Sequence, residues 1–175
     1  MTMAGWVHGS LIELPLFVAV MVSTHLVMSF AQTLMHYRLG HRRTGGVLFW
    51  NHIHYHHAYY ARGHLATTVP EGNEGNNTPY FFFPVMLVGA AAWLVLPLSL
   101  FIAMALAAGI SFYAHVWFDK AYHIRGSYLE RFAWFRHKRQ LHFVHHVHAD
   151  SNFAVIDFFW DRLLGTYRKA DRIIE

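Results

Sequence analysis

The amino-acid sequence predicts an all-α integral membrane protein in a single domain, residues 1–175. We expect a helical bundle with about three crossings and a histidine-rich helical cap on the cytoplasmic side. Composition is the first reason, because 55% of the residues are hydrophobic and only 14% are charged, which is more apolar than ordinary soluble domains. The second is that the apolar residues lie in long runs without charge. The third is histidine, because the chain has 16 and no cysteine, so that imidazole is its main ligand for metals.

The first crossing is predicted over about residues 14–37. No charged residue occurs between Glu13 and Arg38, and about 20 residues at 1.5 Å each suffice to cross a bilayer. His25 lies alone in this run. A single polar group at such a depth usually finds a hydrogen-bond partner within the bundle, and we therefore do not expect His25 to bind metal.

The second and third crossings form a predicted helical hairpin over about residues 80–96 and 98–118. No charged residue occurs from Gly75 to Phe118, which is enough chain for roughly two passages of about 30 Å each. Pro97 marks the turn between the two arms, because proline cannot continue a helix that precedes it.

The charge distribution predicts the orientation of a multi-pass membrane protein. All 14 lysines and arginines lie either from Arg38 to Arg62 or from Lys120 onward. By the positive-inside rule both stretches are cytoplasmic, which places the N-terminus outside. The predicted cap, residues 38–79 and 119–170, then faces the cytoplasm at a bacterial inner membrane or the endoplasmic reticulum. The excess of positive charge reflects this orientation, and we expect no nucleic-acid partner.

The first histidine box is His36 and His41 at the end of the first crossing. On a regular helix, residues five apart differ by about 140° in direction. Both imidazoles can reach one centre only if Gly40 loosens the end of the helix.

The second box holds four histidines within six residues. On a regular helix His52, His56 and His57 share a face, whereas His54 points about 160° away from His56. We expect His54 to lie outside the site. The assignment of His64, a few residues further on, stays open.

The third box, His142, His145 and His146, falls within about 100° of one helix face if the segment is helical. One face can then hold metal. The last predicted crossing leads into His115 and His123, which we also count as candidate ligands.

The boxes and the end of the chain resemble a known family. The motifs that carry the resemblance are His36-x4-His41, His52-x3-His56-His57, His142-x2-His145-His146, Asn152-Phe153 and Trp160-Asp161-Arg162-Leu163-Leu164-Gly165-Thr166-Tyr167. In this order they are similar to the fatty acid hydroxylase and sterol desaturase superfamily, membrane-embedded di-iron enzymes. The small size also resembles bacterial β-carotene hydroxylases.

The resemblance implies two iron ions, with zinc possible in the purified protein, and O2 as co-substrate. The expected reaction is hydroxylation, or alternatively desaturation, of a C–H bond in a membrane lipid such as a fatty acyl, sterol, sphingoid or carotenoid chain. Electrons would come from a separate ferredoxin, cytochrome b5-like protein or reductase. The implied metal ligands are His36, His41, His52, His56, His57, His142, His145 and His146, with His115 or His123 in the remaining place.

Two other classes of function stay open. A membrane zinc hydrolase is one, although a catalytic zinc needs only about three protein ligands. A non-catalytic metal-binding membrane protein is the other. In the di-iron interpretation the second ring nitrogens need acceptors that fix their orientation, and the sequence offers four carboxylates for this role: Asp119, Asp150, Asp157 and Asp161.

Overall fold

The computed structural model of the chain describes residues 3–69 and 77–170, and for residues 3–13 and 78 the backbone alone. Six α-helices occur within these ranges: α1 (Met3–Met35), α2 (Val47–Asn51), α3 (Thr78–Val95), α4 (Leu98–Tyr122), α5 (Ala133–Val147) and α6 (Phe159–Leu164). Two π-helical turns, His36–Gly40 and His52–His57, follow α1 and α2 directly. The described residues form no β-strand, and an isolated bridge joins Thr67 to Ile124. The prediction of an all-α fold is confirmed.

Two helical stretches are long and apolar enough to cross a membrane, Leu14–Gly40 and Leu98–Tyr122. Only 6% of the most apolar window of the first and 22% of that of the second are buried within the protein. The apolar stretch of α3, Pro79–Val95, is shorter. The number of crossings and their sidedness stay predictions, and residues 70–76 of the predicted cap lie outside the described residues.

α1 packs against α4 through small and polar side chains. Ala103, Ala107 and Ser111 are buried at four-residue spacing on α4, which lets two helices approach closely. The Ser111 hydroxyl lies 2.7 Å from Nδ1 of His25. The prediction that His25 finds a hydrogen-bond partner within the bundle is therefore confirmed.

The C-terminal segment runs back along α1. Asp157 accepts a hydrogen bond of 2.6 Å from the Ser29 hydroxyl, and its Oδ2 lies 3.1 Å from Nε2 of His25. The Trp160 ring of α6 packs on Phe30 at 4.9 Å between centroids. The segment after α5 is thereby attached to the middle of α1.

Two residues of the C-terminal motif hold this segment in shape. The Asp161 carboxylate accepts from the backbone N–H groups of Phe153 and Ala154 at 2.7 and 3.0 Å, and from the Thr166 hydroxyl at 2.7 Å. Asn152, at φ 54°, donates to the Leu141 carbonyl at 3.0 Å. Asn152 and Asp161 are both fully buried, so the motif builds a fixed turn behind α5.

Candidate metal centre

Nine histidines form two adjacent groups, and within each group the ligand nitrogens lie within 4.8 Å of one another. Each group could hold a metal ion. Group 1 contains His36, His41, His52, His57 and His145, and group 2 contains His56, His123, His142 and His146. The two groups share a boundary, because the rings of His57 and His146 stack at 4.2 Å between centroids.

The first box reaches group 1 because the helix changes its pitch. At His36–Gly40 the chain forms a π-turn, and the backbone N–H of His41 donates to the carbonyl of His36 at 3.1 Å. This i→i+5 bond, rare in proteins and frequent at functional sites, brings residues five apart onto one side. The two Nε2 atoms lie 3.2 Å apart.

Position 40 requires a residue without a side chain. A Cβ added to it would lie 3.1 Å from the His36 ring and 3.3 Å from the His52 ring. Only hydrogen leaves both imidazoles in place.

The second box differs from the sequence prediction. His52–His57 is a π-turn rather than a regular helix, so the Nε2 atoms of His52 and His57 meet at 3.0 Å in group 1, while His56 belongs to group 2. The three rings lie side by side, with centroids 5.3, 4.6 and 5.7 Å apart, but the wider turn aligns residues five apart and so divides them between the two groups. His54 is exposed and its ring packs on Trp50 at 3.8 Å between centroids.

The third box lies on the last turns of α5, which is helical as predicted. Its three histidines are divided between the two groups, however. His142 and His146, one turn apart, belong to group 2 and His145 belongs to group 1. All three are buried.

The structure distinguishes between His115 and His123, the two remaining candidate metal ligands. His123, one residue beyond α4, is fully buried and its Nε2 lies 2.9 Å from that of His142 in group 2. His115 belongs to neither group and lines a cavity beside group 1. His64 and His137 are exposed.

Backbone carbonyls orient four of the rings. A carbonyl oxygen can only accept, so the facing Nδ1 carries the proton and Nε2 keeps its lone pair. These pairs are His36 with Phe153 at 2.5 Å, His123 with Leu65 at 2.7 Å, His145 with Ser151 at 2.7 Å and His146 with Tyr60 at 3.0 Å. Such outer contacts fix the tautomer and the ring direction of metal-bound histidines.

The electrostatics of the groups favour a cation. Burial, together with the neighbouring imidazoles, lowers the pKa of seven histidines below the usual 6.5: His41, His52, His57, His123, His142, His145 and His146. They are therefore neutral at pH 7 and bear lone pairs. Nε2 of His146 is buried without a hydrogen-bond partner, and lone pairs that converge in this way are stabilised by a metal ion. Neutral imidazoles suit iron, zinc, copper and nickel.

The four candidate carboxylates have different surroundings. Asp119 lies beside group 2, with its oxygens 3.6 Å from Nε2 of His142 and 3.8 Å from Nε2 of His56. Asp161 caps its own turn, and Asp157 contacts His25 and Ser29. Asp150 has a side chain that is 79% exposed. Asp119 alone among these four contacts a histidine of either group in the described residues.

Sequence reasoning missed the backbone acceptors. The carbonyls of Tyr60, Leu65, Ser151 and Phe153 leave no signal in the sequence, because every residue has a backbone carbonyl. Gly45 was also missed, although a Cβ there would lie 1.8 Å from the Leu39 carbonyl oxygen. The Gly45-Gly46 pair between the first two boxes was the available signal.

Comparison of the chain with family models, with curated proteins and with solved structures finds no match.

Proposed function

We propose that the protein is a membrane-embedded, O2-dependent di-iron enzyme that hydroxylates, or alternatively desaturates, a C–H bond of a membrane lipid. The observation that carries the proposal is the pair of adjacent, buried histidine groups at the ends of two long apolar helices. Five and four imidazoles are more than one zinc ion uses in a catalytic site, where about three protein ligands leave a position open. Two groups side by side instead suit a two-metal centre.

The exposed surface of the long helices supports access by lipid. A core helix of a soluble protein is mostly buried, whereas only 6% and 22% of the apolar windows of α1 and α4 are buried. On α3, Phe83, Leu94 and Val95 are 65%, 81% and 77% exposed. Apolar side chains in such numbers are stable against hydrocarbon rather than water.

The direction of the helices supports three crossings. The C-terminal ends of α1 and α4 both lead into the histidine groups, and His25 contacts Ser111 about eleven residues before those ends. The two helices therefore run the same way, which supports a return passage of the chain between them. α3 spans about 27 Å at 1.5 Å per residue and turns into α4 at Leu96 and Pro97.

The residues of the chain hold and orient the metals. Two iron ions, when bound, would activate O2 for attack on a C–H bond. The nine histidines supply nitrogen ligands, four backbone carbonyls hold four of their rings, and Asp119 faces group 2. We propose that a separate ferredoxin, cytochrome b5-like protein or reductase supplies the electrons.

Product analysis tests the proposal most directly. Expression in a lipid-rich host, followed by mass spectrometry of the extracted lipids, should show products heavier by one oxygen or lighter by two hydrogens. Anaerobically purified protein should carry about two iron ions per chain. One tightly bound zinc ion that supports full turnover would instead favour a hydrolase, and metal without any lipid product would favour a binding protein.

Reporter fusions test the orientation separately. A reporter at the C-terminus should be active in the cytoplasm, since both basic stretches lie on that side by the positive-inside rule. An external C-terminus would refute the proposed cytoplasmic site.

A further inference from the structure

The C-terminal segment contacts α1 well before the end of that helix. The Ser29 hydroxyl donates to Asp157 at 2.6 Å, and Nε2 of His25 lies 3.1 Å from the same carboxylate. Trp160 packs on Phe30 at 4.9 Å between ring centroids. These three residues of α1 lie between five and ten residues before the helix ends. At 1.5 Å per residue, the segment therefore reaches about 15 Å back along α1.

The charge-free run of α1 relates these contacts to depth in the membrane. The run begins at Leu14, and about 20 residues at 1.5 Å each cross a hydrocarbon core of about 30 Å. A crossing that begins at Leu14 therefore reaches its inner boundary at about residue 33. Ser29 and Phe30 lie before this boundary by about 4–6 Å, and His25 by about 12 Å. The segment that touches them lies at the depth of the acyl chains of the inner leaflet.

α6 presents an apolar face at this depth. Phe159 and Leu163 are four residues apart and therefore lie on one face of the helix, and they are 42% and 72% exposed. The acidic residue of α6, Asp161, is fully buried. The guanidinium of Arg162 lies over the Tyr167 ring at 4.1 Å, and an arginine at a membrane boundary extends its charge toward the headgroups. The face that stays open is apolar, which suits hydrocarbon rather than water.

The two carboxylates of the segment have partners within the protein. Asp161 accepts hydrogen bonds from the N–H groups of Phe153 and Ala154 and from the Thr166 hydroxyl. Asp157 accepts from Ser29 and contacts His25. Carboxylates at membrane depth are costly unless they are hydrogen-bonded or paired. The segment therefore carries both in the form that an environment without water requires.

We propose that residues 157–164 form a re-entrant element within the inner leaflet, where Phe159 and Leu163 contact the acyl chains of the lipids. The partner of this surface is the hydrocarbon of the membrane and not another protein. The proposal rests on the first crossing, which the proposed function includes. It places this part of the predicted cap beneath the headgroups rather than in the cytoplasm. Asp161 connects the element to the metal centre, because it holds the backbone of Phe153, whose carbonyl orients His36.

The test uses the absence of cysteine from the chain, which lets one introduced cysteine carry a bimane fluorophore. Leu163→Cys and Phe159→Cys place the fluorophore on α6. Val27→Cys, at a residue of α1 that is 66% exposed, is the reference for hydrocarbon. Asp150→Cys, at a side chain that is 79% exposed, is the reference for water.

Each full-length, iron-loaded variant is reconstituted in phosphatidylcholine vesicles. A nitroxide on the lipid acyl chain quenches fluorophores in hydrocarbon, and iodide on both sides of the membrane quenches those in water. We expect the fluorophores on α6 to be quenched by the nitroxide as strongly as the one at position 27 and to lose their quenching by iodide. The fluorophore at position 150 should show the reverse.

The outcomes separate this proposal from the proposed function. Quenching of both α6 fluorophores by iodide, while the one at position 27 stays in hydrocarbon, would overturn the re-entrant element. Protection from both quenchers would overturn it as well, because a protein surface such as a second copy of the chain would then cover α6. Iodide quenching at position 27 would refute the first crossing and with it both proposals. If α6 lies in hydrocarbon but no lipid product forms, the re-entrant element stands and the enzymatic function fails.

Discussion

Gly40→Ala tests the geometry of group 1 without removing a ligand. The added methyl group would lie 3.1 Å from Cδ2 of His36 and 3.3 Å from Cδ2 of His52, closer than ordinary van der Waals contact, so that both rings must move by a few tenths of an ångström. The His36 ring cannot turn away, because its Nδ1 is bound to the Phe153 carbonyl. Distances in metal sites tolerate changes of about 0.2 Å.

We therefore expect Gly40→Ala to weaken metal binding in group 1 by about 10–100-fold, the usual effect of disturbing residues that orient ligands, or about 1.4–2.7 kcal/mol. Group 2 should keep its ion. Anaerobic titration with iron in competition with a chromophoric chelator measures both affinities. Gly109→Ala in α4 is the matched control, since its added Cβ would meet no atom within 4 Å. Two sites of wild-type affinity in Gly40→Ala, or equal losses in both variants, would refute the reasoning.

Three further predictions concern ligand identity, pH and the C-terminal turn. His145→Ala and His146→Ala each remove one buried ligand from a different group, so each should abolish lipid product and lower the iron content from about two ions to about one. His54→Ala, at an exposed residue, should retain the activity and both iron ions. An inactive His54→Ala variant would contradict the assignment. Burial holds the pKa of the histidines of the third box below the usual 6.5, so the folded metal-free protein binds fewer protons than the unfolded chain. The stability of the metal-free protein should therefore be full above about pH 6.5 and decrease as the pH falls below that value. Denaturation of the metal-free protein at a series of pH values checks this, and a stability that rises on acidification would have the wrong sign. Asp161→Ala leaves two buried backbone N–H groups unpaired, at about 1–3 kcal/mol each, and should lower the melting temperature, whereas Asp150→Ala, at a side chain that is 79% exposed, should leave it unchanged.

The residues of the sequence were enough to predict the helical class and the ligand type. Runs such as Leu14–Tyr37 contain no charged residue, which predicts that they lie in hydrocarbon. A backbone in hydrocarbon can satisfy its hydrogen bonds only as a helix or a closed barrel. The histidines stand close together along the chain, so groups of imidazoles that could hold a metal ion were predicted from spacing alone. His54 was placed outside the site by its helical phase, and it is exposed.

Only the tertiary structure decided how the histidines are divided between group 1 and group 2. His56 and His57, like His145 and His146, are consecutive residues that belong to different groups. Neighbours on a helix point about 100° apart, so each pair straddles the boundary between two centres, and the side on which each ring falls depends on how the π-turns pack against α5.

The choice between His115 and His123 was also beyond the sequence. Both lie near the end of α4, but the Leu65 carbonyl and the Thr67–Ile124 bridge hold His123 in group 2, and these contacts come from a segment about 58 residues earlier in the chain. The orienting carbonyls of Tyr60, Ser151 and Phe153 are likewise identical in chemistry to every other carbonyl of the chain. The sequence by itself therefore determined which side chains are available to bind metal, whereas long-range packing determined which of them converge, because convergence depends on distances between segments that spacing along the chain does not specify.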